Sequence, residues 1–331
     1  MAQYAVGVDF GGTKVLAGVV NVETGEIAGE AKVRTSLFDT GDALMARIYE
    51  VVDGALKDAG MKAKDVTGIG VGIAGQVDAQ RGLLIGTANL SRSVVNLPMA
   101  ELLTRKYKVP AALRNDVQIA AIGEHRFGAG RDCNDFMCVF VGTGIGGAIV
   151  RNGELIPGFS GNAGEIGHTT IEAHGRICGC GARGHLEAYA SRTAITKVIL
   201  GELRRGRKSV VTKLVDDLDP TRETSAIRSG VLKKAIKEKD AVVTETIVEA
   251  GKYLGLGLAS MVNFVNPQRI ILGGGVIESV DLLFRQAEHW TRQEALPVAG
   301  DKVEIVKSKL GDYSGVAGAA VIAHEQTRGR A

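Results

Sequence analysis

His168, Cys178, Cys180 and His185 follow one another as H-x9-C-x-C-x4-H in a glycine-rich stretch, two nitrogen and two sulfur donors of the kind tetrahedral zinc takes. His174, between them, is an alternative ligand. An ion held by four protein ligands has no open position, so the expected role is structural. Carboxylates flank the same stretch in Gly164-Glu165-Ile-Gly-His168 and His185-Leu-Glu187. An apolar run from residue 109 ends in the polar pair Asn115-Asp116, and a helical pattern starts at Val117. Asp116 suits either a helix N-cap or a general base that takes a proton from a hydroxyl. Two glycine turns, Asp9-Phe-Gly11-Gly12-Thr13-Lys14 and Gly142-Thr143-Gly144-Ile-Gly146-Gly147, offer bare backbone N–H groups to phosphates. In the first, Thr13 adds a hydroxyl, Lys14 a positive charge, and Asp9 a carboxylate for magnesium, reached through water.

Gly142-x-Gly144-x-x-Gly147 also satisfies the dinucleotide fingerprint, which needs a helix directly after its last glycine. Residues 148–151 read instead as a strand closed by Asn152-Gly153, so the NAD reading fails. No Gly-Lys-Ser or Gly-Lys-Thr of a Walker loop is present. The elements that must position these groups alternate. Residues 4–9 and 15–20 form a hairpin around the first turn; residues 136–141 and 148–151 repeat it around the second, which suggests two related lobes. Helical spacing marks 42–59, ending at Gly60, and 242–263; buried strands are expected at 66–74 and 269–272, the latter running into Gly273-Gly274-Gly275. Strands alternating with helices give an α/β class.

With 331 residues, 45% hydrophobic, the chain has material for about two domains. Its 40 Lys and Arg against 37 Asp and Glu leave a net charge of +3, too little to favour nucleic acid. The charged segment 204–239 interleaves both signs and reads as a solvated helical face. No cationic leader opens the sequence, and the uncharged stretch 253–266 is too short for a bilayer, so a cytoplasmic protein without membrane partners is expected. Four cysteines do not make a disulfide framework, and Cys133 and Cys138 read as ordinary loop and strand residues.

Asp9-x-Gly-Gly-Thr, Gly142-Thr-Gly-x-Gly-Gly and Leu272-Gly-Gly-Gly resemble the first phosphate, second phosphate and adenosine segments of sugar kinases with the actin-like ATPase fold. The Asn115-Asp116 pair, Glu165, His168, Glu187 and Asn89 in Thr-Ala-Asn-Leu match the ROK family of repressors and sugar kinases. The resemblance implies a two-lobed actin-like ATPase (ribonuclease H-like) fold with ATP, Mg²⁺ and a hexose in the interlobe cleft. It makes Asp116 the general base for the sugar 6-hydroxyl and Asn89, Asn115, Glu165, His168 and Glu187 ring ligands. ATP falls to Asp9, Gly11, Gly12, Thr13, Lys14, Gly142, Thr143, Gly144, Gly146, Gly147, Gly273, Gly274 and Gly275. The implied small lobe is 1–118 plus 313–331 and the large lobe 119–312, in a homodimer or homotetramer. Family kinases have a third cysteine where this chain has His185. Glucose is the expected hexose, with N-acetylmannosamine or N-acetylglucosamine as alternatives. A sugar-sensing repressor is disfavoured, because only eight residues precede Asp9 and leave no room for a helix-turn-helix domain.

Overall fold

The valine-rich start of the chain forms an antiparallel meander of β1 (Tyr4–Phe10), β2 (Lys14–Asn21) and β3 (Ile27–Arg34). Helix α1 (Gly41–Asp58) follows, with Thr40 capping it by accepting from Ala43 N at 3.2 Å. Strand β4 (Ile69–Ile73) then pairs parallel with β1. A small hairpin of β5 (Gln76–Asp78) and β6 (Leu83–Gly86), then α2 (Met99–Tyr107), lead to β7 (Ala111–Asn115), parallel to β4. The sheet order is β3-β2-β1-β4-β7, and α3 (Asp116–Phe127) leaves directly from its last strand. This computed structural model describes residues 3–12, 14–35, 40–86, 94–216, 218–219 and 227–328.

A second sheet has the order β10-β9-β8-β11-β12, with β8 (Phe136–Val141), β9 (Ile145–Arg151), β10 (Glu154–Leu155), β11 (Arg269–Gly273) and β12 (Glu304–Lys307). Its helices are α4 (Glu187–Ala190), α5 (Arg192–Arg204), α6 (Val211–Leu214), α7 (Ser229–Lys237), α8 (Ala241–Val265), α9 (Gly275–Ser279), α10 (Asp281–Glu294) and α11 (Pro297–Gly300). Segment 204–239 is less solvated than its charge suggests. Val211, Ile227, Leu232 and Ala235 are buried in the core that α8 builds, because short apolar repeats hide among the lysines. No helix among the described residues is long and apolar enough to cross a membrane.

By compactness the chain divides into two units, one of Met1–Cys138, Ala148–Ala163 and Ser308–Ala331, the other of Val139–Gly147 and Gly164–Lys307. Helix α3 belongs to the first unit because it packs on the returning helix α12 (Ser314–Arg328) so closely that a β-carbon at Gly318 would strike Ile119 O. The same helix lies on β1 and β4, where a side chain at Gly7 or Gly70 would meet the carbonyls of Val316 or Ala319. That backbone approach fixes the position of the first turn of α12 over the ends of the parallel strands.

Candidate active site

The parallel register aligns the carboxyl ends of three strands in the first unit: Asp9 opposite Gly72 and Gly72 opposite Arg114, then Phe10 opposite Ile73 and Ile73 opposite Asn115. Ligands of open α/β sheets bind outside these ends. Asn115, not Asp116, caps α3, its Oδ1 accepting from Val117 N at 2.9 Å and Gln118 N at 3.3 Å, while its Nδ2 donates to Gly75 O at 3.3 Å. Asp116 is therefore the first residue inside the helix, and its Oδ1 accepts from Val117 N at 3.0 Å. Loss of hydration, then the charge of Asp116, push the carboxyl of Asp9 up to about 7 against the pull of Lys14, which itself pairs with Asp312. A carboxyl raised in this way is one whose ionised form a nearby cation would favour. The first glycine turn closes by Gly11 N donating to Lys14 O at 3.0 Å. Thr13 and Asn89 lie outside the described residues.

In the second unit the turn after β8 is shorter than the sequence suggests, since β9 already begins at Ile145. Gly142 N donates to Gly144 O at 2.9 Å, and Ile145 N donates to Glu187 Oε2 at 2.9 Å. A β-carbon at Gly144 would collide with that same oxygen, whereas one at Gly142 would meet nothing within 4 Å. Glu187 thus grips the turn from below and leaves the Gly142 face open. The third glycine segment adjoins it: Gly274, at φ +88°, sits so close to β8 that a side chain there would be 2.6 Å from Val141 O.

The four nitrogen and sulfur donors converge. A tight turn, with Cys178 N donating to Ala182 O at 2.8 Å and Gly181 at φ +97°, presents the two thiols. Both imidazoles turn Nδ1 inward: His168 Nδ1 is 3.3 Å from His185 Nδ1 and 3.8 Å from Cys178 Sγ, and His185 Nδ1 is 3.2 Å from Cys180 Sγ. All four atoms lie within 4.8 Å of one another, and His174 is not among them. Tetrahedral zinc with bonds near 2.1 Å to nitrogen and 2.3 Å to sulfur would set such atoms about 3.4 to 3.8 Å apart, close to the 3.3, 3.8 and 3.2 Å between these donors, so they fit that ion. Burial pushes the Cys178 thiol up to about 11, so it becomes a thiolate only with a cation beside it. Glu187 Oε1, 3.6 Å from Cys178 Sγ, links this cluster to the glycine turn. Burial also raises the Glu165 carboxyl, with His168 lowering it and Glu187 raising it further.

The model of the ROK family matches residues 5–326. The chain belongs to the ROK family. Among its relatives is a glucokinase of Halalkalibacterium halodurans, 31% identical over 98% of this chain and 96% of the relative. A xylose repressor of Caldicellulosiruptor bescii is 27% identical over 95% of this chain and 76% of the relative. Among solved structures, a ROK family glucokinase from Streptomyces griseus in complex with glucose and AMPPNP superposes with a TM-score of 0.85 at 30% identity, covering 98% of this chain and all of that one. The fold is accordingly the mixed α/β fold of the ROK sugar kinases, of actin-like ATPase type.

Two further residues of the site escaped sequence reasoning. Gly315, in the first turn of α12, lies so near Asp9 that a β-carbon there would be 2.7 Å from its Cγ. Arg192 donates to Thr143 Oγ1 at 2.7 Å. The first is a glycine in a run of small residues that points only to close packing. The second carries no motif, since its meaning arises from a contact with a turn 49 residues away.

Proposed function

We propose that this ROK protein is an ATP-dependent hexose kinase, a glucokinase, that transfers the γ-phosphoryl group to the sugar 6-hydroxyl. The observation that carries the reading is Asp116 at the carboxyl end of β7, with Asp9 near enough for their charges to interact and Asn115 absorbing the capping duty. A carboxylate so placed accepts the hydroxyl proton as the oxygen attacks, which is the protein's chief covalent task in phosphoryl transfer. Asp9 holds the magnesium that neutralises charge on the phosphates, reached through water. Gly11, Gly12, Thr13 and Lys14 serve the first phosphate turn, Gly142 to Gly147 the second, and Gly273, Gly274 and Gly275 the adenosine. Glu165, His168, Glu187, Asn89 and Asn115 are assigned to the sugar, which a carboxylate-rich site selects strongly because the wrong stereochemistry leaves a buried charge unpaired.

Zinc on His168, Cys178, Cys180 and His185 would cross-link the loop and take no part in the phosphoryl transfer itself. With a metal on Nδ1, His168 would carry its proton on Nε2, a fixed donor toward a sugar hydroxyl. The reading makes the protein a cytoplasmic homodimer or homotetramer, which light scattering on the purified chain checks. The deciding experiment is a panel of hexoses and N-acetylhexosamines with Mg²⁺ and ATP, followed by coupled ADP release. Glucose is expected to give the highest kcat/KM; phosphorylation of none of the panel removes the kinase reading, and preference for an N-acetylated sugar replaces glucokinase with an N-acetylhexosamine kinase.

A further inference from the structure

Two arginines of the second unit sit beside the nucleotide glycines with no counter-ion among the described residues. Arg192 opens α5, its N–H donating to Gly142 O at 2.9 Å and its guanidinium to Thr143 Oγ1 at 2.7 Å. Its pKa is lowered, first by burial and then by the like charge of Arg228. Arg228 immediately precedes α7, and among the described residues its side chain makes no hydrogen bond or ion pair. Its neighbour Ser229 is only 8% exposed, yet its hydroxyl has no hydrogen-bond partner among the described residues. That oxygen is 3.8 Å from where a β-carbon of Gly275 would lie. The open face of Gly142, the Gly273-Gly274-Gly275 segment, two guanidinium groups with no ion pair among the described residues and a hydroxyl with no partner among them therefore surround one place.

Holding like charges together and leaving a buried hydroxyl unsatisfied are both unfavourable in the free protein. A polyanion relieves both, and guanidinium forks match phosphate oxygens in pairs. We propose that Arg192 and Arg228 grip the phosphoanhydride chain of the nucleotide, with the Ser229 hydroxyl as a further donor, so that the phosphoryl donor is selected by the length of its phosphate chain. This rests on the reading of the protein as an ATP-dependent kinase. Arg192 thereby has two attachments: Thr143 fixes its direction, and the phosphates neutralise it.

Calorimetric binding of Mg·ATP, Mg·ADP and adenosine to the full chain, with inorganic tripolyphosphate as competitor, tests the assignment. Arg228→Gln, which breaks no contact in the described protein, should weaken Mg·ATP about tenfold and tripolyphosphate equally while leaving adenosine and the glucose KM unchanged. Arg192→Met should do at least as much, and Arg192→Lys should restore part of the loss by keeping the charge without the fork. Ser229→Ala should cost less than about tenfold in Mg·ATP affinity. Unchanged affinity for Mg·ATP and tripolyphosphate in both Arg228→Gln and Arg192→Met overturns the proposal, as does an equal loss of adenosine, which would mark a merely structural role. A wild type that phosphorylates a hexose while both variants keep their nucleotide affinity sinks the arginine assignment alone; a wild type that binds no nucleotide sinks the kinase reading with it.

Discussion

Glu124 and Asp9 are two carboxylates of the first unit withdrawn from water, and their surroundings pull in opposite directions. Glu124 has no exposure and accepts from five donors, Ala129 N, Leu310 N, Lys309 N and the hydroxyls of Ser308 and Ser314, at 2.7 to 3.1 Å; burial alone would raise its pKa, but the bonds from Ala129, Leu310, Ser314 and Lys309 lower it. Asp9, stripped of water and then facing a second carboxylate, is pushed up to about 7. A satisfied buried charge holds a fold together; a frustrated one waits for a ligand. The two are joined mechanically, since Glu124 ties down residues 308–314 and so sets the first turn of α12, where Gly315 faces Asp9.

The contrast is broken most severely at the frustrated site. Asp116→Asn should lower kcat by about a thousandfold while the sugar Kd stays within a few-fold, because the amide keeps a hydrogen bond but takes no proton. Steady-state kinetics with calorimetric sugar binding measure this, and an active Asn variant removes the base assignment. Asp9→Asn should lower kcat roughly a hundredfold through misplaced magnesium and phosphates. Its Tm without nucleotide should not fall, because it removes charge repulsion rather than a bond.

Glu124→Gln should behave in the reverse sense, losing about 2 to 4 kcal/mol of stability at pH 7 with kcat per folded molecule little changed. The sign with pH follows from the lowered pKa. Glu124 stabilises the fold above the ordinary carboxylate value of 4.5, and that contribution is lost as pH falls below it. Urea titrations of wild type and Glu124→Gln should therefore converge on going from pH 7 to about pH 3. A gap that persists at low pH would mean that shape rather than charge is responsible.

In the second unit the same distinction separates ligand-facing from supporting groups. Stripping zinc with a chelator should raise the sugar KM about tenfold, with about one zinc per chain in the intact protein and ATP binding nearly intact. A zinc-free protein of full activity would leave Cys178 and Cys180 without a task. The smallest effects belong to two glycines of one turn. Gly142→Ala, facing open space, should weaken ATP alone by about tenfold, whereas Gly144→Ala, aimed at Glu187 Oε2, should disturb sugar and ATP together.

Much of this was visible in the sequence because periodicity and donor type are local. Helix 42–59 and the strands around the glycine turns appear within a residue or two as α1, β1, β2 and β8, since apolar spacing sets them directly. The cluster of nitrogen and sulfur donors was legible because their spacing lies within one loop, and the fold brings His185 rather than His174 to it. The cap of α3 is Asn115, a duty first considered for Asp116. The paired arginines and Gly315 were illegible because each depends on a partner far along the chain. Glu124, an unremarked helical residue, acquires its meaning from residues 308–314 for the same reason.

Helix α12 buries Val316, Ala320 and Ala323 against Ala5, Leu16 and Val20, so strands made early are covered by a helix encoded after the whole second unit. The second unit, bounded by Val139 and Lys307, is complete before α12 has been synthesised. Biogenesis therefore runs inside out: the second unit is free to fold first, while the nascent first sheet keeps an uncovered apolar face until α12 arrives. Chaperone demand during translation should concentrate on that interval, and a stop codon just before Ser314 should give a product whose second unit resists proteolysis while its first is degraded.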